Sequence, residues 1–351
     1  FDLNRRSKSR NMVHEMIAAM SDNPFDLVKA YVASGIFPGA SFAIVNGRTV
    51  QKQVDGYERL KPDPVPLRAG MAYDLASVSK VVGTGTLMIN LILSGQIGLD
   101  DLLTAHYPDF TGPGGDTLTI RQLLTHTSGI DPFIKNRNHL AYDDLRTALN
   151  HLTVTADKTF HYTDVNFILL GFMLENLYGQ DLADILQDQI FTPFQMPHTG
   201  FTAPDRTVAT AWDLPKGLVH DPKAQVLGRH TGSAGLFSDL DDLIAFAQAY
   251  LTNPAYLALL QDYAQANKPR SLAWDLIGLE RSSQIAQTQV GQWLLHTGYT
   301  GTFILINLKT QQAVIFLSNR VHLQDDRKQW LADRDVLIQA FLKLMADLEQ
   351  S

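Results

Sequence analysis

The chain has no cysteine among its 351 residues, which removes disulfides, thiolate nucleophiles and cysteine-held metals, and leaves the redox compartment unread. Charge is scarce at 19%, and it leans acidic, with 36 Asp and Glu against 29 Lys and Arg for a net −7. A nucleic-acid binder needs a basic face. The one dense basic run, "RRSKSR" at Arg5 to Arg10, reads as a solvated end. Long apolar runs are missing too, since Gly, Ser or Asn interrupts each candidate within about a dozen residues, short of a membrane span. In "NMVHEMIAAM", His14 and Glu15 break anything like the apolar core of a secretory signal. The chain as given therefore carries the expectation of a cytoplasmic protein with no membrane span, or an extracytoplasmic one if a leader precedes Phe1. No His/Asp/Glu set has the spacing of a metal helix such as H-E-x-x-H. The loop "TGPGGD" at Thr111 to Asp116 lacks the Lys-Ser/Thr of a phosphate loop. No metal and no cofactor is expected.

What is present is a 45% apolar composition, enough to bury a large core in one big domain or two smaller ones. "GASFAIVNGRTVQKQVDGYE" (Gly39 to Glu58) gives two strand-like runs joined at Asn46-Gly47, a dipeptide suited to the positive φ of a hairpin turn. From Ser77 to about Thr199 the periodicity is helical, in segments Val81 to Leu93, Leu118 to Leu124, Asp164 to Leu177 and Leu182 to Ile190. A helix near Asp239 to Leu251 follows, then consecutive strands in "QWLLHTGYTGTFILINLKTQQAVIFLSN", then a helix from Lys328 to about Leu348. Strands at both ends and helices between them predict an α+β fold. Its antiparallel sheet part is discontinuous, residues 1–76 with 205–351, and a mainly helical part, 77–204, faces it across a cleft.

One lysine stands alone in the uncharged run from Leu75 to Leu99. An unpaired ammonium is costly in such surroundings, so Lys80 either snorkels or has a task. Ser77 lies three residues before it, on the same side of a helix, and no other lysine in the chain has a serine at that spacing. A serine hydroxyl attacks poorly until a base takes its proton. Lysine can be that base if apolar surroundings lower its pKa by about 2–3 units from about 10.4, and the surrounding sequence is apolar. The bland alternative is a helix-start serine with a snorkelling lysine.

Ser77-Val78-Ser79-Lys80 in "LASVSK", "LLTHTSGI" (Leu123 to Ile130), "YTDVNFILLG" (Tyr162 to Gly171), "GSAGLFS" (Gly232 to Ser238) and "HTGYTGT" (His296 to Thr302) resemble, in this order, the serine β-lactamase and DD-peptidase superfamily. The branch most similar is that of class C β-lactamase-like proteins, which includes D-Ala-D-Ala carboxypeptidases and esterases. The resemblance runs over about Phe37 to His322. It implies a β-lactamase/transpeptidase-like fold with the active site in the cleft between the sheet and the helical part.

It also implies roles. Ser77 is the nucleophile, while Lys80 and Tyr162 handle protons. Tyr142-Asp143-Asp144 fits the tyrosine motif loosely but lacks the "NFILLG" helix. Among three His-Thr-Gly triplets, at His198, His230 and His296, only His296 sits in a strand-like run. There the resemblance implies that Tyr299 offers its backbone N–H to the oxyanion together with Ser77, that Thr297 bonds the bound acyl group or carboxylate, and that Gly298 keeps the strand edge open. Two positions depart from the family pattern. Asp164, where Asn is common, can only accept hydrogen bonds when ionised and favours an ammonium on Lys80. His296, where Lys is common, is expected to be about one-quarter charged at pH 7 and to hold a carboxylate less firmly. His126, His161 and His220-Asp221 read as packing and loop residues, with His161 a candidate for a supporting place.

The implied function is a serine hydrolase that forms an acyl-enzyme, of D-alanyl-D-alanine carboxypeptidase type, with a carboxylesterase or a slow-acylating penicillin or peptidoglycan sensor as alternatives. Its partner is then a small molecule or peptide: a peptidoglycan-like peptide, an ester or a β-lactam.

Overall fold

The computed structural model describes residues 22–278 and 292–351. The basic run and the segment with His14 and Glu15 lie outside the described residues.

Seven antiparallel-paired strands form one sheet from both ends of the chain. Strands β1 (Gly39–Asn46), β2 (Thr49–Arg59) and β3 (Val65–Pro66) come from the first part. β6 (Asp275–Ile277), β7 (Trp293–Gly298), β8 (Thr302–Asn307) and β9 (Gln312–Ser318) come from the last, in the spatial order β3-β2-β1-β9-β8-β7-β6. β1 and β9, 266 residues apart in register at Asn46 and Gln312, close the two halves into one sheet. A two-stranded ribbon, β4 (Tyr73–Asp74) with β5 (Phe237–Ser238), ties the entry of the helical part to its exit.

The central strands are buried on both faces, and their alternation sorts the core into two layers. Phe42, Ile44, Phe303, Leu305, Val314 and Phe316 face the helices Pro24–Ala33 and Arg327–Gln350. Ala43, Val45, Ile304, Ile306, Ala313 and Ile315 face the helical part. On β7, Leu294 belongs to this second layer. His296, two residues on, has the same parity, so the period of two places its side chain toward the cleft.

The expected helices form with small shifts: Ile120–Leu124, Asp164–Tyr178, Leu182–Leu186 continued by a π-helical turn to Phe191, Leu240–Thr252 and Arg327–Gln350. Two local expectations need correction. In the hairpin Asn46 still pairs with Thr49, so Gly47-Arg48 make the turn, and of the expected dipeptide only Gly47, at φ +59°, has a positive φ. Ser77 does not open an α-helix. It sits in a 3-10 turn, Ala76–Val78, and Lys80 starts a π-helical stretch to Gly85 before the α-helix Thr86–Leu93. A third correction concerns membrane length: Ala76–Leu93 is long and apolar enough to cross a bilayer by composition alone, and most of it is buried inside the fold as a core helix.

Candidate active site

The turn that carries Ser77 is held from several sides. Ala76 adopts φ +46°, a left-handed conformation that costs a non-glycine residue about 1 kcal/mol or more. Its N–H donates to Oδ1 of buried Asp74 at 2.8 Å, and the other oxygen of Asp74 accepts from the His220 N–H at 2.7 Å. Leu75 N–H bonds the Leu236 carbonyl, and the Leu236 N–H returns to Ser79 Oγ at 3.1 Å. These bonds fix Ser77 between β4 and the "GSAGLFS" loop.

Ser77, in the 3-10 turn, and Lys80, the first residue of the π-helical stretch, come together across the junction of the two. Lys80 is fully buried, and its Nζ donates three times: to Ser77 Oγ at 2.9 Å, to Asp164 Oδ1 at 2.7 Å and to the Ser233 carbonyl at 3.1 Å. The Asp164 carboxylate at contact distance favours the ammonium form of this amine, which then donates to all three oxygens. Burial alone would lower the Lys80 pKa, but the Asp164 carboxylate and Tyr162 overcome it and raise the group above the ordinary lysine value. The expected lowering by apolar surroundings is thus overturned: those surroundings contain a carboxylate at contact distance.

Asp164 sits at the start of the helix Asp164–Tyr178, capped by Thr163. It is gripped from two directions, by Lys80 at Oδ1 and by Lys223 Nζ at Oδ2, 3.0 Å. Burial would raise its pKa; the two lysines instead hold it well below the usual carboxylate range. Lys223 also lies 3.3 Å from Asp221 Oδ2.

Tyr162 lies two residues before Asp164, 41% exposed at the cleft, with its ring centre 5.0 Å from Lys80 Nζ. Beneath it packs the His126 ring at 4.4 Å between centres. His126 is buried, accepts at Nδ1 from Asn166 Nδ2 at 2.9 Å and from the Thr163 N–H at 3.4 Å, and is kept neutral by burial and by the charges of Arg270 and Lys80. It is a platform for Tyr162. His161 is exposed, its N–H bonded to the His126 carbonyl.

Across the cleft, His296 is 5% exposed and its Nδ1 bonds the Thr297 carbonyl at 3.0 Å. A carbonyl cannot donate, so Nδ1 carries the proton and Nε2 presents a lone pair, buried and without a hydrogen-bond partner among the described residues. Burial, then the charges of Lys80 and Arg270, push its pKa down to about 3. His296 is therefore neutral at pH 7, which corrects the expected one-quarter charge. Gly298 is required by contact: a Cβ there would meet Thr302 Oγ1 at 2.2 Å and the Leu75 carbonyl at 2.5 Å. The strand edge lies directly against the Ser77 turn, and Thr302 Oγ1 seals it by donating to the Leu75 carbonyl. Tyr299, 37% exposed, stacks against His220 at 5.6 Å on one side and lies 4.6 Å from the Arg320 guanidinium.

Ser77, Tyr162, Asp164, His296, Thr297, Gly298 and Tyr299 all line one cavity of about 860 Å³, and Lys80 lies directly behind Ser77. The other two His-Thr-Gly triplets are elsewhere: His198 pairs with Asp239 and His230 with Glu175. Sequence reasoning missed Lys223, Asp74, Ser233 and Arg320. Only "HDPKA" held a hint, a lysine just after an Asp-Pro helix start, and nothing local shows that its partner is Asp164, 59 residues away. Among the described residues two sets of side chains have the proximity of metal ligands, Glu175, Asp181 and His230 in one and His198, Asp239 and Asp242 in the other. Each already has a member paired with an arginine, Glu175 with Arg146 and Asp239 with Arg206.

The β-lactamase family model matches residues 25–338. A curated protein of Escherichia coli O157:H7 named "Putative D-alanyl-D-alanine carboxypeptidase" is 27% identical over 348 residues, covering 82% of this chain and 79% of its own length. One of the same name from Salmonella agona (strain SL483) is 28% identical over 325 residues, at 77% and 74% coverage. Among solved structures, a class C β-lactamase from Rhodobacter sphaeroides shares the fold with a TM-score of 0.72 at 18% identity, over 92% of this chain and all of that one. EstCE1, a hydrolase with promiscuous acyltransferase activity, does so at 0.69 and 19%, over 94% and 98%. With its family match running from the first described helix into the last, this chain belongs to the β-lactamase family and is a serine hydrolase.

Proposed function

We propose that Ser77 forms an acyl-enzyme with amide or ester substrates, and that the natural substrate is a peptide of the D-alanyl-D-alanine type. The observation that carries this reading is the 2.9 Å bond from Lys80 Nζ to Ser77 Oγ at the wall of an open cleft. Names of the carboxypeptidase relatives and the His-Thr-Gly form at His296 support the substrate class.

Lys80 is an ammonium that donates to Ser77 Oγ, so it cannot also remove the Ser77 proton in this state. Tyr162 is the remaining titratable oxygen of the motif set. As Oγ attacks the carbonyl carbon, the Tyr162 oxygen accepts the Ser77 proton while the Tyr162 hydroxyl passes its own toward the leaving group, and the N–H groups of Ser77 and Tyr299 take the developing oxyanion. The tetrahedral species collapses, the bond to the leaving group breaks, and that group keeps the proton from Tyr162. Water repeats the sequence to release the acyl group. The Lys80 cation, 5.0 Å from the Tyr162 ring centre, attracts the negative charge that appears on the phenol oxygen.

A second reading has one observation in its favour: Lys80 held as an ammonium by Asp164 fits a recognition protein that acylates slowly. An esterase with the same machinery is the third. The place of action follows the substrate, extracytoplasmic for a wall peptide and cytoplasmic for a short ester, and fractionation of expressing cells separates them. Intact mass after exposure to a fluorescent penicillin, and turnover of p-nitrophenyl acetate, each compared with Ser77→Ala, test the proposal. The expected result is a Ser77-dependent penicillin adduct. Ester turnover without an adduct would move the reading to an esterase, and neither signal from folded protein would overturn the acyl-enzyme.

A further inference from the structure

Lys223 is the one ammonium that lines the cavity in contact with Asp164. It is 7% exposed, on the short helix Pro222–Leu227, with Nζ at 3.0 Å from Asp164 Oδ2 and 3.3 Å from Asp221 Oδ2. An ammonium has three N–H donors, and these two carboxylates account for two. Asp164 itself has both oxygens engaged by lysines and no proton to give. At this corner of the cleft the charged group able to donate to a substrate oxygen is therefore Lys223, reached through Asp164.

The surroundings set the sign of the preferred oxygen. The protein as a whole carries −7, yet among the described residues the cavity wall has seven Lys or Arg against three Asp. A concave wall with an excess of one sign focuses the field and concentrates the opposite charge. The segment that bears Lys223 is also coupled to the reacting centre. His220 stacks on Tyr299, and its N–H shares the Asp74 carboxylate with Ala76, next to Ser77. A ligand seated on Lys223 is thus registered against both the nucleophile and the Tyr299 peptide.

We propose that Lys223 is a specificity residue that receives a carboxylate of the substrate, so that this hydrolase selects acyl or leaving groups bearing a negative charge beside the scissile bond. The inference rests on the acyl-enzyme reading and deepens it. A bare counter-ion role, in which Lys223 only neutralises Asp164, predicts a loss of stability with no change in charge preference.

The test uses two pairs of esters with the charge on either side of the bond: mono-p-nitrophenyl succinate against p-nitrophenyl butyrate, and 4-acetoxybenzoate against phenyl acetate. The readout is the ratio of kcat/KM, anionic over neutral, within each pair. In the wild type at least one ratio is expected to be about tenfold, in line with one charge-assisted hydrogen bond. In Lys223→Met it falls to about one, carried mainly by KM, and Lys223→Arg keeps most of it. Ligand-observed NMR binding of succinamate against butyramide to Ser77→Ala and to Ser77→Ala with Lys223→Met gives the same comparison without turnover. No ester hydrolysis, but anion binding that vanishes with Lys223, would sink the acyl-enzyme reading and leave standing only the carboxylate site at Lys223. Turnover or binding with the same ratio in wild type and Lys223→Met overturns it.

Discussion

Arg320 holds Tyr299 twice over: its Nε donates to the Tyr299 carbonyl at 2.8 Å while its guanidinium carbon lies 4.6 Å from the centre of that residue's ring. Asp325 completes the clamp, accepting from Arg320 Nη1 at 2.5 Å and from the Tyr299 hydroxyl. Fixing the carbonyl and the ring orders Tyr299, the residue whose N–H the proposed mechanism assigns to the oxyanion.

Arg320→Met removes both contacts. Acylation of Ser77 should fall by about 10²-fold, the size of a lost oxyanion donor, with KM for a neutral ester moved far less than kcat. Stopped-flow acylation with circular dichroism as a folding control measures this. An unchanged kcat would show that Tyr299 is held well enough without the arginine.

Asp164→Asn tests what holds the Lys80 charge. The raised pKa of Lys80 adds stability that is present below the unfolded lysine value and lost as pH rises through the folded one. The lowered pKa of Asp164 adds stability present above the unfolded carboxylate value and lost as pH falls through the folded one. Between about pH 5 and 9 the pair is fully formed in the wild type. In the variant burial acts on Lys80 without the carboxylate, so its pKa drops. A neutral amine there can itself take the Ser77 proton, so a rising limb set by Lys80, absent in the wild type, should enter the kcat/KM profile as that pKa falls toward neutrality. The variant should also lose about 2–3 kcal/mol, less than for a fully enclosed pair because Asp164 is 23% exposed. A superimposable pH profile would remove Asp164 from control of the proton.

Neutral His296 makes a pH prediction of its own. With a folded pKa of about 3, it stays unprotonated while the unfolded chain takes up a proton near 6.5. Below about pH 6.5 the unfolded state binds more protons, so stability must fall as pH falls toward 4. Urea midpoints from pH 7 to 4 should show a shallower slope in His296→Gln, by up to about 1.4 kcal/mol per pH unit. Equal slopes would mean that the buried Nε2 is protonated in the fold.

Gly298→Ala places a methyl group 2.2 Å from Thr302 Oγ1 and 2.5 Å from the Leu75 carbonyl. Neither atom sits on a free end: Thr302 Oγ1 is bonded to Leu75 and the carbonyl belongs to the nucleophile turn. The strand must move, at a cost of about 1–3 kcal/mol. Penicillin acylation should drop far more than thermal stability does. Preserved acylation would show that β7 can shift without disturbing Ser77.

The local features of this site were legible because their physics is local. Ser77 and Lys80 are three residues apart, and that spacing brings them together across a 3-10 to π-helical junction as it does in an α-helix. The parity of β7 sends His296 to the cleft by the same period of two that sorts Leu294 and Leu295. The sheet from both termini was readable as well, since strand runs at each end with helices between leave few ways to bury them.

What the tertiary structure alone decided is the charge state of these groups. Apolar neighbours in sequence made Lys80 look like a free amine, whereas Asp164, 84 residues on, and Ser233, 153 residues on, complete it as an ammonium. His296 reads as a switchable cation until burial and the charges of Lys80 and Arg270 hold it neutral. Lys223 and Arg320 gave no motif at all. Covalent spacing determines which side chains can meet along one element, but a pKa depends on every charge within a few ångströms, and in a folded chain those charges arrive from distant segments.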